Sequence, residues 1–306
     1  MIPLNKACQA DFIRLKAGEL AVELAPGIGG SIASFQRRGP QGIVDLMRSM
    51  SEAARANADP AGAAMFPMVP YANRIAGDRF DFEGQTYQFK KQRGESCSIH
   101  GSGWRSAWTV HDADPQSAEL NLEHLRADEP YSYSAFQRFC LSDDRLVVTI
   151  GVTNRGADPL PFGFGYHPFW NREPEVTIRF GATHFWLDGP NSMPTDRIAT
   201  PPELDFRQGG RLPDRWRNNC YDGWDGHAEI SFPCRETGLR IEAGPLFRHL
   251  MLYCDPDKTF FCLEPQTHVA GAFNRIERSK GEDLGVFVLD PGESTEETVS
   301  FMPFST

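Results

Sequence analysis

A chain of 306 residues can hold two average domains or one large all-β domain, and a hydrophobic share of 40% with 24% charged residues supports a packed core. A formal net charge of -10, a pI near 5.3 and the lack of any Lys/Arg cluster argue against nucleic acid as a partner. Seven scattered cysteines without a CxxC pair suit reduced thiols in a cytoplasmic protein. The opening residues lack a signal-peptide run and no stretch of about 18 apolar residues occurs, so neither secretion nor a membrane span is expected.

Taken in chain order, the predicted elements are nearly all strands. "ELAVEL" (19–24) alternates apolar and polar residues with a period of two. Helix is limited to a turn or two within "SMSEAARANADP". "RFDFEGQTYQF" (79–89) reads as two short strands around a Glu83-Gly84 turn, where glycine accepts positive φ without steric cost. "AELNLEHL", "SAFQRFCL" and "RLVVTIGVTN" continue the alternation, and "HAEISF", "LRIEA", "FFCLE" and "VSFM" resume it later. Turn-rich segments such as "SDDR", "NRGADP", "PCRETG" and "DPGES" separate them. Many short strands with regular turns predict an all-β sandwich or larger β assembly. With no linker, charge block or repeat to divide it, residues 1–306 are expected to form one domain.

Four stretches bring chemistry-bearing side chains among glycine and proline, where binding loops are usually built. In "PYANRIAG" (70–77), Asn73 donates and accepts while Arg74 offers a planar fork of donors; the alternative for Arg74 is a structural ion pair. In "CSIHGSGW" (97–104), His100 ends an apolar run before glycines, at a strand end facing open space, or is a satisfied structural histidine. In "FGFGYHPFWN" (162–171), Pro168 holds His167 extended and Gly163 and Gly165 permit close backbone approach. Phe162, Phe164, Tyr166, Phe169 and Trp170 supply apolar walls there, the alternative being a histidine buried in an aromatic core. In "FFCLEPQTH" (260–268), Glu264 closes an apolar strand, where a carboxylate is costly to bury unless paired or used.

Other chemistries lack their signatures. HxH and HExxH are absent, and Pro265 opposes the helix that a Glu264–His268 ligand pair would need, so no metal is expected. No GxSxG nucleophile motif, P-loop or strand–GxGxxG–helix context is found, so no cofactor is expected. What remains is a glutamate and a histidine amid Asn, Arg and His donors and aromatic faces, a combination suited to a sugar with its apolar C–H faces and polar rim.

The ordered series "APGIGGSIASF", "FPMVPYANRIAGDRFDFEGQTYQF", "IHGSGWRSAW", "FGFGYHPFW", "GWDGHAEI", "FCLEPQTHVAGAFN" and "LDPGES" resembles the aldose 1-epimerase (galactose mutarotase-like) family over nearly the whole chain. The resemblance implies a β-supersandwich with the sugar in an open cleft and no cofactor. It implies Glu264 as the general base for the anomeric hydroxyl and His167 as the general acid for the ring oxygen. His100, Asn73 and Arg74 match sugar-contacting positions, and Asp222 is a further candidate beside the "GWDG" turn. An acidic contact expected shortly before that turn is replaced by Asn218, which bears on which sugar fits. With Glu264 beside it, His167 is expected to be charged at neutral pH. The partner implied is a small-molecule sugar, with the oligomeric state open. A non-catalytic sugar-binding protein is the alternative. So is a hexose 6-phosphate epimerase, which would need a cluster of arginines around a phosphate, with Arg93, Arg105 and Arg138 as candidates to supply it.

Overall fold

The computed structural model describes residues 12–39, 42–92, 95–279 and 283–306. The alternating stretches form strands where their pattern places them. Ser117–His124, Tyr133–Leu141 and Leu146–Asn154 pair antiparallel in sequence order. Their inward residues, among them Leu120, Phe139, Val148 and Ile150, are buried. These strands belong to a nine-stranded sheet with Thr109–Ala113, Ser294–Phe304, Thr237–Ala243, His227–Phe232, Thr177–Phe180 and Gly210–Arg211.

A second sheet has eleven strands. Its order runs Ile13–Ala17, Leu20–Ala25, Ser31–Gly39, Met65–Met68, Gly165–Asn171, Phe260–Gln266, His249–Cys254, Arg217–Asp222, His184–Asp188 and Pro194–Ala199, with Gly42–Asp45 paired to Ser31–Gly39. The two sheets share one apolar core, into which Trp170 from the larger sheet and Phe301 from the smaller project with ring centroids 6.3 Å apart. The fold is the all-β supersandwich that the alternation and the family resemblance predict.

Local chemistry agrees with the reading of the chain. Glu83 and Gly84 both take positive φ, 51° and 74°, and join Arg79–Phe82 to Gln85–Gln88 as a two-residue hairpin turn. The α-helical segment Glu52–Asn57 lies inside the stretch expected for it, and Ser51 Oγ caps it by accepting the Ala54 N–H at 3.2 Å. Among the described residues no helix is long and apolar enough to cross a membrane.

The middle of the eleven-stranded sheet positions the site. Pairing sets Phe169 opposite Cys262 and Gly165 opposite Gln266, so His167 lies level with Glu264; on its other side His167 faces Phe66. Glu264 in turn faces Met251, which faces Cys220. Because successive side chains alternate between faces, Tyr166, Trp170, Phe261 and Leu263 enter the shared core. Phe66, Phe169 and Cys262 instead join a smaller apolar cluster with Ile99 and Trp104 on the opposite face. That opposite face carries His167 and Glu264.

Gly165 is required by this crowding. A Cβ there would lie 2.8 Å from the Pro265 carbonyl oxygen and 2.7 Å from Met68 Cε, closer than real side chains approach. A Cβ at Gly163 would meet His268 Cδ2 at 2.1 Å. Both glycines therefore permit the close backbone approach anticipated for them.

Candidate active site

His167 and Glu264 project side by side from neighbouring strands, with His167 Nε2 3.4 Å from Glu264 Oε1. The imidazole packs against two phenyl rings, Phe66 and Phe169, each with a centroid 4.6 Å away and tilted from it by less than 30°, and the two phenyl centroids are 5.9 Å apart. His100 presents its ring edge-on at 5.2 Å. These ring contacts restrict the orientation of the imidazole while stripping water from it. Glu264 Oε2 and His167 Nδ1 are buried and have no hydrogen-bond partner within the described residues. A buried carboxylate oxygen without a partner is costly, and such costs collect at functional sites.

Around this pair lies a cavity of about 280 Å³, near the lower bound for small-ligand pockets. Its polar lining includes Asn73, Arg74, His100, Asn218 and Glu95, and its apolar walls are Phe66, Trp104, Phe169, Tyr253 and Phe260. A larger groove of about 460 Å³ opens beside Arg179 and Arg240, but its His227, Asp225 and Glu242 are exposed to solvent. It lacks a desolvated acid–base pair.

The short strands Arg74–Ile75 and Ser98–Ile99 pair with one another and deliver the other polar groups. The Asn73 backbone N–H donates to His100 Nδ1 at 3.1 Å, and the His100 N–H donates to the Asn73 carbonyl at 2.9 Å. With Nδ1 an acceptor, a neutral His100 carries its proton on Nε2 and can act as a donor. His100 directly follows the strand Ser98–Ile99, at the strand end expected for it, yet it is buried rather than facing open space. Asn73 takes a left-handed φ of 55°, and its Oδ1 accepts the Arg74 backbone N–H at 3.0 Å. That turn holds Arg74 at the edge of the cleft. Its carbonyl accepts the Gly271 N–H at 3.0 Å, tying it to the segment after the Glu264 strand.

Burial sets the protonation of the pair. It pushes the Glu264 carboxyl up to about 8, with the Arg74 charge opposing only part of the rise. It pushes the His167 imidazole down to about 3, and the positive charges of Arg48 and Arg74 add to the fall. Burial, then the charges of His167, Arg74 and Arg105, hold His100 well below the ordinary histidine range. The ionic Glu264–His167 pair expected from proximity therefore gives way to a neutral carboxyl beside a neutral imidazole. Desolvating two charges outweighs their mutual attraction.

Glu264, His167, His100, Asn73 and Arg74 come together as the sequence predicts, and Asn218 joins them. Asp222 does not line the cleft. It shares a face of its strand with Asn218 but sits four residues further on, where it ion-pairs with Arg197 and approaches His249 Nε2 at 3.5 Å. Of the five aromatic residues expected as walls around His167, only Phe169 lines the cavity. Phe162, Phe164, Tyr166 and Trp170 are buried in the shared core: alternation sends Tyr166 and Trp170 to the other side, and Phe162 and Phe164 precede the Gly165–Asn171 strand. Of the arginines named for a phosphate cluster, Arg105 pairs with Glu95 at 2.6 Å and Arg138 pairs with Glu119 at 3.1 Å on the nine-stranded sheet. Arg93 lies outside the described residues.

Arg48 was invisible to sequence reading. It donates to the Ala61 and Ala63 carbonyls and lies 3.9 Å over the Phe169 ring and 4.7 Å from that of Phe260, bracing the apolar wall. Tyr253 and Phe66 were missed because their strands lack an alternating signal. Trp104 sat in the quoted "IHGSGW" stretch but had no pattern to mark it as a wall.

The sequence profile described as aldose 1-epimerase matches residues 11–302. The chain is 37% identical over 247 residues to the uncharacterized protein YphB of Escherichia coli K12, covering 78% of this chain and 83% of that protein. Among solved structures, a candidate aldose 1-epimerase of Escherichia coli K12 superposes with a TM-score of 0.87 at 32% identity, over 97% of this chain and 99% of that one. A galactose mutarotase-like protein of Clostridium acetobutylicum superposes with a TM-score of 0.84 at 20% identity, over 96% and 95% of the two chains, which is a likeness of fold. A profile match over nearly the whole chain, on a supersandwich carrying the Glu264–His167 pair, makes this protein a member of the aldose 1-epimerase family.

Proposed function

We propose that the protein is a cofactor-independent mutarotase that interconverts the α and β anomers of an aldose, with Glu264 as base and His167 as acid. The observation that carries this reading is the pair itself: two titratable groups 3.4 Å apart on rigid neighbouring strands, each with a buried atom free of partners. In the ring-closed sugar, Glu264 takes the proton of the anomeric hydroxyl as His167 gives one to the ring oxygen. The bond between C1 and the ring oxygen breaks and leaves an open-chain aldehyde. Rotation about C1–C2 presents the other carbonyl face, and reversed transfers close the ring as the opposite anomer.

The proton count supports the assignment. Ring opening consumes the ionic pair and produces the neutral pair; ring closure does the reverse. Both forms hold a single proton, so one cycle restores the site without solvent. A sugar hydroxyl donating to Glu264 favours the carboxylate and helps restore the ionic form that opening requires. His100, Asn73, Arg74 and Asn218 supply hydrogen bonds to the sugar rim, and the aromatic walls face its C–H surfaces.

Polarimetry on freshly dissolved α-D-glucose, α-D-galactose and L-arabinose tests the proposal. The protein is expected to accelerate mutarotation of at least one, and Glu264→Gln to lower kcat by about 10²–10⁴-fold while leaving sugar binding largely intact. Full activity in Glu264→Gln removes this residue as the base. Sugar binding without acceleration by the wild-type protein would instead favour the non-catalytic binding role.

A further inference from the structure

Cys262 places a third donor beside the acid–base pair. It precedes Glu264 by two residues on the same strand, so its side chain leaves the same face, and it lines the same cleft. One donor atom from each of His167, Cys262 and Glu264 lies within 4.8 Å of the other two. All three stand on two adjacent strands, so the backbone sets their spacing. We propose that these side chains bind a thiophilic divalent cation of the zinc type, and that the bound ion inhibits the protein by occupying its acid and base.

The donor set selects the ion. One imidazole nitrogen, one sulfur and one carboxylate oxygen suit Zn²⁺ or Co²⁺, whereas Mg²⁺ and Ca²⁺ require oxygen donors throughout. Bond lengths of about 2.0–2.3 Å in a tetrahedron put neighbouring donors about 3.3–3.8 Å apart. Glu264 and His167 already meet that spacing at 3.4 Å, and the widest separation must close by about 1 Å, within reach of a side-chain rotation. Capture need not break existing bonds of Glu264 Oε2, which has no hydrogen-bond partner among the described residues.

Charge also favours this particular donor set. Arg74 and Arg48 act on these side chains and would oppose a cation held by neutral ligands. A carboxylate and a thiolate together cancel the two charges of the ion. Three protein donors leave a fourth position open towards the cleft. The ion inhibits because its bonds use the lone pairs with which Glu264 and His167 exchange protons.

The site stands on geometry; only its inhibitory consequence rests on the proposed mutarotase activity, and the test separates the two. Co²⁺ is titrated into metal-free protein while thiolate-to-cobalt charge-transfer absorption and tetrahedral d–d bands are recorded, and Zn²⁺ is then added to displace it. Mutarotation is followed in parallel with Zn²⁺, and EDTA is added to restore it. Cys262→Ser, with Cys262→Ala as a second variant, is expected to weaken Co²⁺ and Zn²⁺ binding by at least about 10–100-fold. Inhibition should weaken equally, each variant being referred to its own metal-free rate. Absence of the thiolate band, or equal Zn²⁺ inhibition of wild type and Cys262→Ser, overturns the proposal. If the wild type shows no mutarotation, the cobalt spectrum still decides the site.

Discussion

Glu264 and His167 are driven away from charge by the same cause, loss of solvent, which raises the carboxyl to about 8 and lowers the imidazole to about 3. Between those values the pair holds one proton, the count that the proposed cycle needs. As pH rises through about 8 the carboxyl loses that proton while the imidazole stays neutral, and no acid remains to protonate the ring oxygen. Below about 3 the imidazole gains a second proton and no base remains. In metal-free protein, kcat/KM for mutarotation is thus expected to be flat through neutrality and to fall about tenfold per pH unit well above 8. A polarimetric pH profile corrected for buffer catalysis checks this. A decline that starts near the ordinary histidine value as pH rises, well before 8, would show that burial does not control the pair.

The five central strands of the larger sheet arrange side chains in rows, and the row decides each role. Glu264, His167, Met251 and Cys220 share one row; Gln266, His249 and Asp222 share the next. His249 is buried in that second row, with Nδ1 2.7 Å from the Thr267 carbonyl and Nε2 towards Asp222. Asp222 accordingly holds Arg197 and His249 in place, and we expect Asp222→Ala to cost stability because it leaves both without their carboxylate. A loss of about 1–3 kcal/mol in urea unfolding is expected, with the KM for sugar changed by less than about threefold. A large KM increase at unchanged stability would return Asp222 to the sugar. Strand legibility follows the same geometry. "AELNLEHL" and "RLVVTIGVTN" alternate visibly because one face is less buried than the other. Met65–Met68 is buried at all four positions and His249–Cys254 at five of six, so alternation is erased in the strands beside the site.

The whole molecule is held by contact between the two sheets, and Trp170 is a sensitive point of that contact. It is fully buried and projects from the site-bearing strand towards Phe301. Trp170→Ala is expected to destabilise the protein by about 3–5 kcal/mol, measured by chemical denaturation. A loss under about 1 kcal/mol would mean that the sheets do not depend on this packing. The amino-acid sequence by itself determined the all-β class, the Glu83-Gly84 turn and the short helix, because these depend on periods and turn residues within a few positions. It also marked Glu264, His167, His100, Asn73 and Arg74, since each sits in a distinctive local context of glycine, proline or aromatic residues. Only tertiary structure decided that Asp222 lies a row beyond the cleft and that Cys262 stands beside the acid and base. It alone showed which aromatic rings face the cavity and that burial neutralises the pair. Those outcomes depend on strand register and desolvation, which join residues about a hundred positions apart and leave no local trace in the chain.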